Sequence, residues 1–212
     1  MDGFTHNPML SDDPVEWERL IEAVGPPSML VVLRSRMGRA LAARTTPEDL
    51  WQETLLHAWH DRARFEWRGL RSFRSWLIQI AENRVRDLLD RDEAAKRGGG
   101  RAPKSLSAAV METPRERSLW PLAGTTTPSR VVQIHEEAQA MFEALESLDD
   151  EVREVVRLRL FEELEMEEVA SRLELGLSAA KHRFRKGAAE YQRRLEVRLK
   201  SLSERGHRIV RP

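Results

Sequence analysis

Arginines alternate with aromatic residues between Arg62 and Arg74, and this combination could bind an unpaired nucleic-acid strand. Arginines neutralise phosphates, while exposed rings stack on unpaired bases at about 1–3 kcal/mol per base. The rings are Phe65, Trp67 and Phe73. The alternative is a connecting loop whose rings are buried in the core. The arginines of the stretch are Arg62, Arg64, Arg68, Arg71 and Arg74.

A second candidate nucleic-acid surface lies near the C-terminus, where the charge changes sign. Residues 149–168 contain nine acidic and three basic residues, whereas residues 181–200 contain eight basic and two acidic ones. A short helix, a tight turn and then a basic helix is the arrangement in which the second helix enters the major groove. An ordinary helical hairpin is the alternative. The side chains expected to face DNA are Lys181, His182, Arg183, Arg185 and Lys186.

Glu53, His57 and His60 have a spacing that could hold a metal ion on one helix. A nuclease using these ligands is a distant alternative, since no second cluster offers further ligands and a solvated face explains the pattern. The chain has no cysteine, which excludes a disulfide framework and a thiolate zinc site. No phosphate loop, nucleophile–base pair or carboxylate dyad suggests catalysis. The sequence therefore predicts no enzyme activity, no cofactor and no metal.

Helices must position these residues in the first half of the chain. Asp13 followed by Pro14 predicts a helix start, and Thr46-Pro47 predicts another with a capping hydroxyl. The helix after Thr46 places Trp51 on an apolar side and Leu56 in an acidic, solvent-facing patch. We interpret that leucine as a protein-docking spot, the alternative being a surface leucine of no consequence. A further helix is predicted over residues 73–91.

The second half also has a helical pattern. Ser129 is expected to cap one helix, and an apolar face predicts another that ends at Glu162-Glu163-Leu164. A short helix follows around Met166 to Leu173, and a basic helix over residues 178–199. The fold class is all-α, with two small helical domains joined by a long flexible linker and a helix-turn-helix in the C-terminal domain.

Proline, glycine and loss of periodicity set the expected boundaries. The N-terminus lacks a signal pattern and no apolar run could cross a bilayer, so we expect a cytoplasmic protein without membrane insertion. The predicted segments are a tail over 1–13, a helical domain over 14–92, a linker over 93–128, a second domain over 129–200 and a tail over 201–212.

Both halves resemble the extracytoplasmic-function (ECF) sigma factors of bacterial RNA polymerase. In the first half the likeness is carried by EDLWQETLLHAW, from residue 48, and FRSWLIQIAENRVRDLLDR, from residue 73. In the second half it is carried by LESLDDEVREVVRLRLFEELEMEEVASRLELGLSAAKHRFRKGAAE, from residue 145. The resemblance implies that the domain over 14–92 is like sigma region two and the domain over 129–200 like region four.

The resemblance implies an alternative sigma factor that binds core polymerase and directs promoter recognition and melting. It implies contacts with the β′ coiled coil and the β flap, with promoter DNA, and with an anti-sigma factor as a further candidate partner. A stand-alone helix-turn-helix regulator with an N-terminal sensing or dimerisation domain is the rival hypothesis. The residues expected to bind polymerase are Asp49, Leu50, Gln52, Glu53 and Leu56.

The resemblance also assigns DNA contacts. The loop over residues 65–73 is expected to capture a base flipped from the minus-ten element. The minus-ten and melting residues are Arg64, Phe65, Trp67, Arg68, Arg71, Phe73, Trp76, Asn83, Arg84 and Arg86. The minus-thirty-five residues are Ser178, Lys181, His182, Arg183, Arg185 and Lys186.

Two departures from the family pattern fall in the helix-turn-helix. The Gly-Thr-Val of the family is replaced by Ser178-Ala179-Ala180, which removes a threonine contact to phosphate or base. The turn glycine of the family is replaced by Glu174, and Gly176 lies two residues further on.

Overall fold

The computed structural model describes Phe4 and residues 7–11, 13–96 and 127–209. These residues form helices and connecting turns without a strand, as the predicted all-α class requires. The predicted flexible linker lies outside the described residues from 97 to 126. The helices are α1 (Pro14–Val24), α2 (Pro26–Ala42), α3 (Pro47–Asp61), α4 (Leu70–Lys96), α5 (Pro128–Glu146), α6 (Asp150–Val156), α7 (Met166–Arg172) and α8 (Leu177–Ile209).

The described residues divide into two compact units. One contains α1, the part of α2 from Leu33 onward, α3 and α4, and the other contains Pro26–Val32 and the helices from Pro128 onward. No helix in the described ranges combines the length and the apolar character needed to cross a membrane.

The helix starts of the N-terminal unit follow the predicted capping chemistry. The Asp13 carboxylate accepts a hydrogen bond from the Val15 amide at 2.9 Å. Thr46 and Asp49 form a reciprocal capping box, in which each side chain accepts from the backbone amide of the other. Gly25 has a φ of 77°, a left-handed conformation that glycine adopts without a steric cost and that separates α1 from α2.

In the N-terminal unit α1 and α3 pack against α4, and α2 adds the buried Leu33, Met37 and Leu41 to the core. Trp17 of α1 contacts the ring of Trp59 on α3 at 5.2 Å and the ring of Phe73 on α4 at 6.0 Å, both edge to face. Edge-to-face pairs add about 0.5–1.5 kcal/mol each beyond the area they bury. This junction of rings fixes the orientation of α4 beneath the loop that precedes it.

The C-terminal unit is built around α8, against which α5, α6 and α7 pack. One π-helical turn, Arg157–Phe161, continues α6 and ends where Glu163 adopts a φ of 57°. The predicted break at residues 162–164 is therefore confirmed. Val155, Leu158 and Val169 form the centre of the core, and Phe184 of α8 packs against them.

The turn between α7 and α8 is a Schellman motif with glutamate in the position that favours glycine. The Leu175 amide donates to the Ala170 carbonyl at 2.9 Å, and the Glu174 amide donates to the Ser171 carbonyl at 3.3 Å. Glu174 takes the left-handed conformation with a φ of 53°. Gly176 does not share this conformation, so its place two residues further on does not relieve the strain at Glu174.

Gly187 allows α8 to approach α6 closely. A Cβ at this position would lie 2.7 Å from Cγ2 of Val156 and 2.9 Å from Cβ of Val152. Because both valines are buried, neither side chain has free space to move into. The sequence pattern does not reveal this contact, since a glycine inside a helix has no periodic signal.

Three predicted boundaries are wrong for the residues that the structure describes. Residues 7–11 are not a loose tail, because they form a 3-10 helix over Pro8–Leu10 with Met9 buried. α4 continues past the predicted linker start at residue 93 as far as Lys96, because Glu93-Ala94-Ala95-Lys96 are good helix formers. Residues 201–209 continue α8 rather than forming a tail, because no proline interrupts them.

We predict that Gly187→Ala destabilises the C-terminal unit. Overpacking against two buried valines costs about 1–3 kcal/mol, which exceeds the roughly 1 kcal/mol that alanine gains over glycine in a helix. Hydrogen exchange of residues 150–200 in the full chain should show faster exchange in α6 and α8.

Gly176→Ala is the matched control, because a Cβ at Gly176 has no atom within 4 Å. Equal protection in the two variants would show that α6 and α8 are further apart than the structure places them.

Candidate nucleic-acid and partner interfaces

An open pocket of about 430 Å³ lies beneath the loop between α3 and α4. Phe65 of the loop stacks on Trp76 of α4, with ring centroids 4.6 Å apart and planes inclined by 24°. Aromatic walls beside charged groups suit a flat heteroaromatic ring that enters from solvent. The residues that line the pocket are Asp61, Arg64, Phe65, Glu66, Arg68, Ser72 and Trp76.

The charged residues of the pocket are arranged in two exposed pairs. Arg64 lies 3.4 Å from the Asp61 carboxylate, and Arg68 lies 2.8 Å from Glu66. Exposed pairs of this kind are worth little and open easily. Both guanidinium groups can therefore exchange their carboxylate for a phosphate at low cost.

Two residues predicted to contact DNA are instead buried. Phe73 is 0% exposed and Arg84 is 6% exposed, and both share the buried side of α4 with Leu77. The alternative of buried rings is therefore correct for Phe73, whereas Phe65 and Trp67 are only half-buried. Neither Phe73 nor Arg84 is therefore exposed for contact with a nucleic acid.

The remaining predicted minus-ten residues of α4 lie at the surface. Arg71, Asn83 and Arg86 are exposed and Trp76 is half-buried, with Asn83 accepting a hydrogen bond from Arg86 at 3.0 Å. Arg74, which the sequence groups with the phosphate-neutralising arginines, is buried and donates to the Val24 carbonyl at the end of α1. A cation there suits the negative end of that helix.

The outer face of α3 carries four of the five predicted polymerase-binding residues. Asp49 and Gln52 are exposed, and Glu53 and Leu56 are half-buried. Leu50 is the exception, because it is 1% exposed and faces the core. The prediction for Leu50 is wrong, since one helical step of 100° separates it from Asp49 and turns it inward.

Glu53, on the candidate polymerase-binding helix α3, forms an ion pair with Arg84 on α4. Its carboxylate accepts from Nε of Arg84 at 3.1 Å and from Nη2 at 2.6 Å. Asp87 lies 3.5 Å from the same guanidinium. The ion pair ties α3 to α4, so Glu53 is engaged within the protein.

Burial, followed by the charge of Arg84, lowers the pKa of His57 below its usual value. The imidazole is therefore neutral at physiological pH. The described residues include no group of three or more His, Cys, Asp or Glu side chains that could hold a metal ion. Glu53, one of the three candidate metal ligands, is paired to Arg84.

The first turns of α8 present the predicted basic surface. Ser178, Lys181, His182, Arg185 and Lys186 are exposed on one face, opposite the buried Ala180 and Gly187. Their spacing of three and four residues puts them in line along the helix.

Arg183 departs from this line of exposed residues. It is half-buried and lies 3.7 Å from Glu151 of α6. Lys181 has a weaker acidic neighbour, Glu167 of α7, at 4.0 Å.

Sequence reasoning missed three residues of the pocket. Asp61 and Glu66 have no pattern of their own, because they lie at the end of α3 and in the loop. Ser72 is one turn before Trp76 on α4. A helix start at Leu70, where Gly69 precedes it with a φ of 99°, would have placed Ser72 on the same face as Trp76.

The chain matches two family profiles in order. The profile for sigma-70 region 2 matches residues 29–94, and the profile for sigma-70 region 4 matches residues 138–190. ECF RNA polymerase sigma-E factors of Salmonella typhimurium, Escherichia coli K12 and Shigella flexneri are each 27% identical to it over 160 residues. These alignments cover 74% of the chain and 79% of each relative.

The chain belongs to the ECF sigma factors. As an alternative sigma factor, it acts in transcription initiation together with core RNA polymerase and promoter DNA. Region 2 occupies the part of the chain that a stand-alone regulator would use for sensing or dimerisation, which argues against that rival hypothesis. The helix-turn-helix of this sigma factor is the part of region 4 formed by α7 and α8.

We predict that Arg84→Met destabilises the N-terminal unit of the sigma factor. The methionine keeps the buried stem but removes the bonds to Glu53, at a cost of about 1.5–3 kcal/mol, because hydrogen bonds to charged groups are among the stronger ones. Urea unfolding followed by tryptophan fluorescence suits this test, since five of the six tryptophans precede residue 97.

The control is Arg86→Met, which alters an exposed arginine two residues further along the same helix. If both variants unfold at the wild-type urea concentration, the Glu53–Arg84 pair contributes nothing to stability.

Proposed function

We propose that this sigma factor divides promoter recognition among three surfaces. The outer face of α3 binds core polymerase, the pocket beneath the loop captures an unpaired base of the minus-ten element, and the first turns of α8 read the minus-thirty-five element. The stacked pair of Phe65 and Trp76 above the pocket carries the proposal. Buried rings would serve the core alone, whereas these two are accessible from solvent.

Capture of a base offsets the cost of unpairing it. Extruding a base from a duplex costs a few kcal/mol, and stacking on an aromatic side chain returns about 1–3 kcal/mol per base. Arg64, Arg68 and Arg71 are exposed around the same site and can neutralise the backbone phosphates. We therefore infer that the free energy for melting comes from base stacking together with phosphate contacts, without nucleotide hydrolysis. The catalytic step belongs to the polymerase.

The α3 face offers polar and apolar contacts side by side. Gln52 is exposed and Leu56 is half-buried beside it, which fits a partner helix that supplies both hydrogen bonds and an apolar groove. We propose the β′ coiled coil of core polymerase as that partner. An anti-sigma factor that covered Gln52 and Leu56 would hold the protein inactive by excluding polymerase.

The front of α8 fits the major groove as a single row of cations. Arg185 and Lys186 extend from its exposed face, and Arg-to-guanine contacts are the commonest specific ones in that groove. Ser178 at the start of the row can donate to a phosphate but lacks the methyl group of threonine. We propose that the C-terminal unit also contacts the β flap, which would hold α8 at the minus-thirty-five element.

Run-off transcription with purified core polymerase tests the proposed function. The template should include the DNA upstream of the gene for this protein, and initiation is expected only when the sigma factor is added. Leu56→Arg should abolish both transcription and co-purification with core, because a charged side chain cannot enter an apolar contact without a partner.

Leu89→Arg makes the same change at an exposed leucine of α4 and should leave both activities intact. Circular dichroism of each variant should show unchanged helix content. Polymerase binding by folded Leu56→Arg would show that α3 uses a different face.

Salt dependence tests the row of cations on α8. With holoenzyme on promoter DNA, Lys186→Ala should reduce the slope of log K against log salt by about 0.9, the value for one lost phosphate contact. Arg183→Ala should change the slope less, because Glu151 already lies 3.7 Å from that guanidinium. Equal changes in slope would contradict the proposed face.

A further inference from the structure

The described residues before α1, here called the N-terminal segment, pack beside the loop between α3 and α4, here called the base-capture loop. The sequence does not predict an ordered structure for this segment. The Asn7 side chain accepts the Met9 amide at 2.9 Å and starts the 3-10 helix Pro8–Leu10. This helix contacts α1 and also the 3-10 turn Arg62–Arg64 at the start of the loop. Met9 is 2% exposed, so the segment is anchored by a buried side chain.

Phe4 contacts the loop at a second point. Its ring lies 5.9 Å from the ring of Trp67 in an edge-to-face arrangement with an interplanar angle of 74°. Trp67 in turn contacts Phe65 at 6.5 Å and Phe73 at 6.1 Å. The Phe4 ring therefore gives Trp67 a further aromatic contact, from a residue outside the loop and α4.

The loop over residues 65–69 has no regular secondary structure of its own. Side-chain contacts must therefore determine its shape, because a short irregular segment has little else to restrict its backbone. Phe65, which forms one wall of the pocket, follows Arg64 and precedes Trp67 by two residues. Contacts with the N-terminal segment thus reach the loop on both sides of the pocket wall.

We propose that Phe4 and the 3-10 helix Pro8–Leu10 form a strap that holds the base-capture loop in its binding shape. Phe4 and Met9 are positioning residues, since neither lines the pocket. A loop that already has its binding shape loses less conformational entropy when the base enters, so binding is tighter. This inference rests on the proposed function of the pocket and adds to it a segment upstream of sigma region 2, which begins at residue 29.

The test uses holoenzyme and a single-stranded oligonucleotide with one 2-aminopurine among random bases, whose fluorescence falls when it stacks on a ring. Phe4→Ala should weaken probe binding about three- to tenfold, the range expected when one aromatic pair that orders the loop is lost. Phe4→Tyr keeps the ring and should bind as the wild type does. Leu10→Ala, at a residue of the same segment that is 76% exposed, should also be silent.

Binding of core polymerase and the midpoint of thermal unfolding distinguish positioning from a purely structural role. Phe4→Ala should leave polymerase binding unchanged and lower the unfolding midpoint by no more than a few degrees, and a variant that loses polymerase binding in proportion to probe binding would overturn the proposal. Deletion of residues 1–6 is the second variant, and it should reproduce the effect of Phe4→Ala.

Phe65→Ala separates the strap from the pocket itself. If Phe65→Ala weakens probe binding while Phe4→Ala and the deletion do not, the strap is wrong and base capture stands. If Phe65→Ala, Trp76→Ala and Phe4→Ala all bind the probe as the wild type does, both the proposed base capture and the proposed strap are wrong.

Discussion

The buried ring of Phe73 is the contact on which the N-terminal unit depends. Four rings surround it, with centroid distances of 6.0 Å to Trp17, 5.8 Å to Phe65, 6.1 Å to Trp67 and 5.9 Å to Trp76. Trp17 belongs to the core, whereas Phe65 and Trp76 form the pocket. One ring therefore connects the helical core to a loop that has no regular secondary structure of its own, and such a contact can hold an irregular segment in a defined shape.

Arginine has two distinct roles in this fold, and burial separates them. Arg84 is held by Glu53 and joins α3 to α4, while Arg157 pairs with Glu154 and with the buried Glu162 at the end of the π-helical turn. Removing one member of such a pair leaves the other charge without its partner. The free-energy cost of its desolvation is then no longer compensated. Exposed arginines such as Arg68 have carboxylate partners that solvent or an added phosphate can replace at low cost.

The sequence predicted what depends on local chemistry and missed what depends on distant contacts. The Asp13 and Thr46 caps and the short helix before α8 follow from side chains within a few residues, and the structure confirms them. Gly187 was missed because its close approach to Val152 and Val156 depends on how α8 packs against α6, whereas Leu50 lies one helical step of 100° from Asp49 and faces the core. The family pattern did not reveal that Leu50 is buried. A shared pattern marks the residues that contact a partner and also the core residues that support them.

Glu151 and Glu167 place negative charge beside the basic face of α8, in a chain whose formal net charge is zero. They approach Arg183 and Lys181 at 3.7 and 4.0 Å, so part of the positive field of α8 is cancelled before DNA arrives. Affinity for DNA rises with each phosphate that is neutralised, so on the proposed DNA-binding role of α8 these two acidic neighbours lower the contribution of Lys181 and Arg183. Tethering to polymerase raises the effective concentration of this helix at the promoter. Under the proposed function, attachment to polymerase therefore compensates for a basic face whose charge is partly cancelled within the protein.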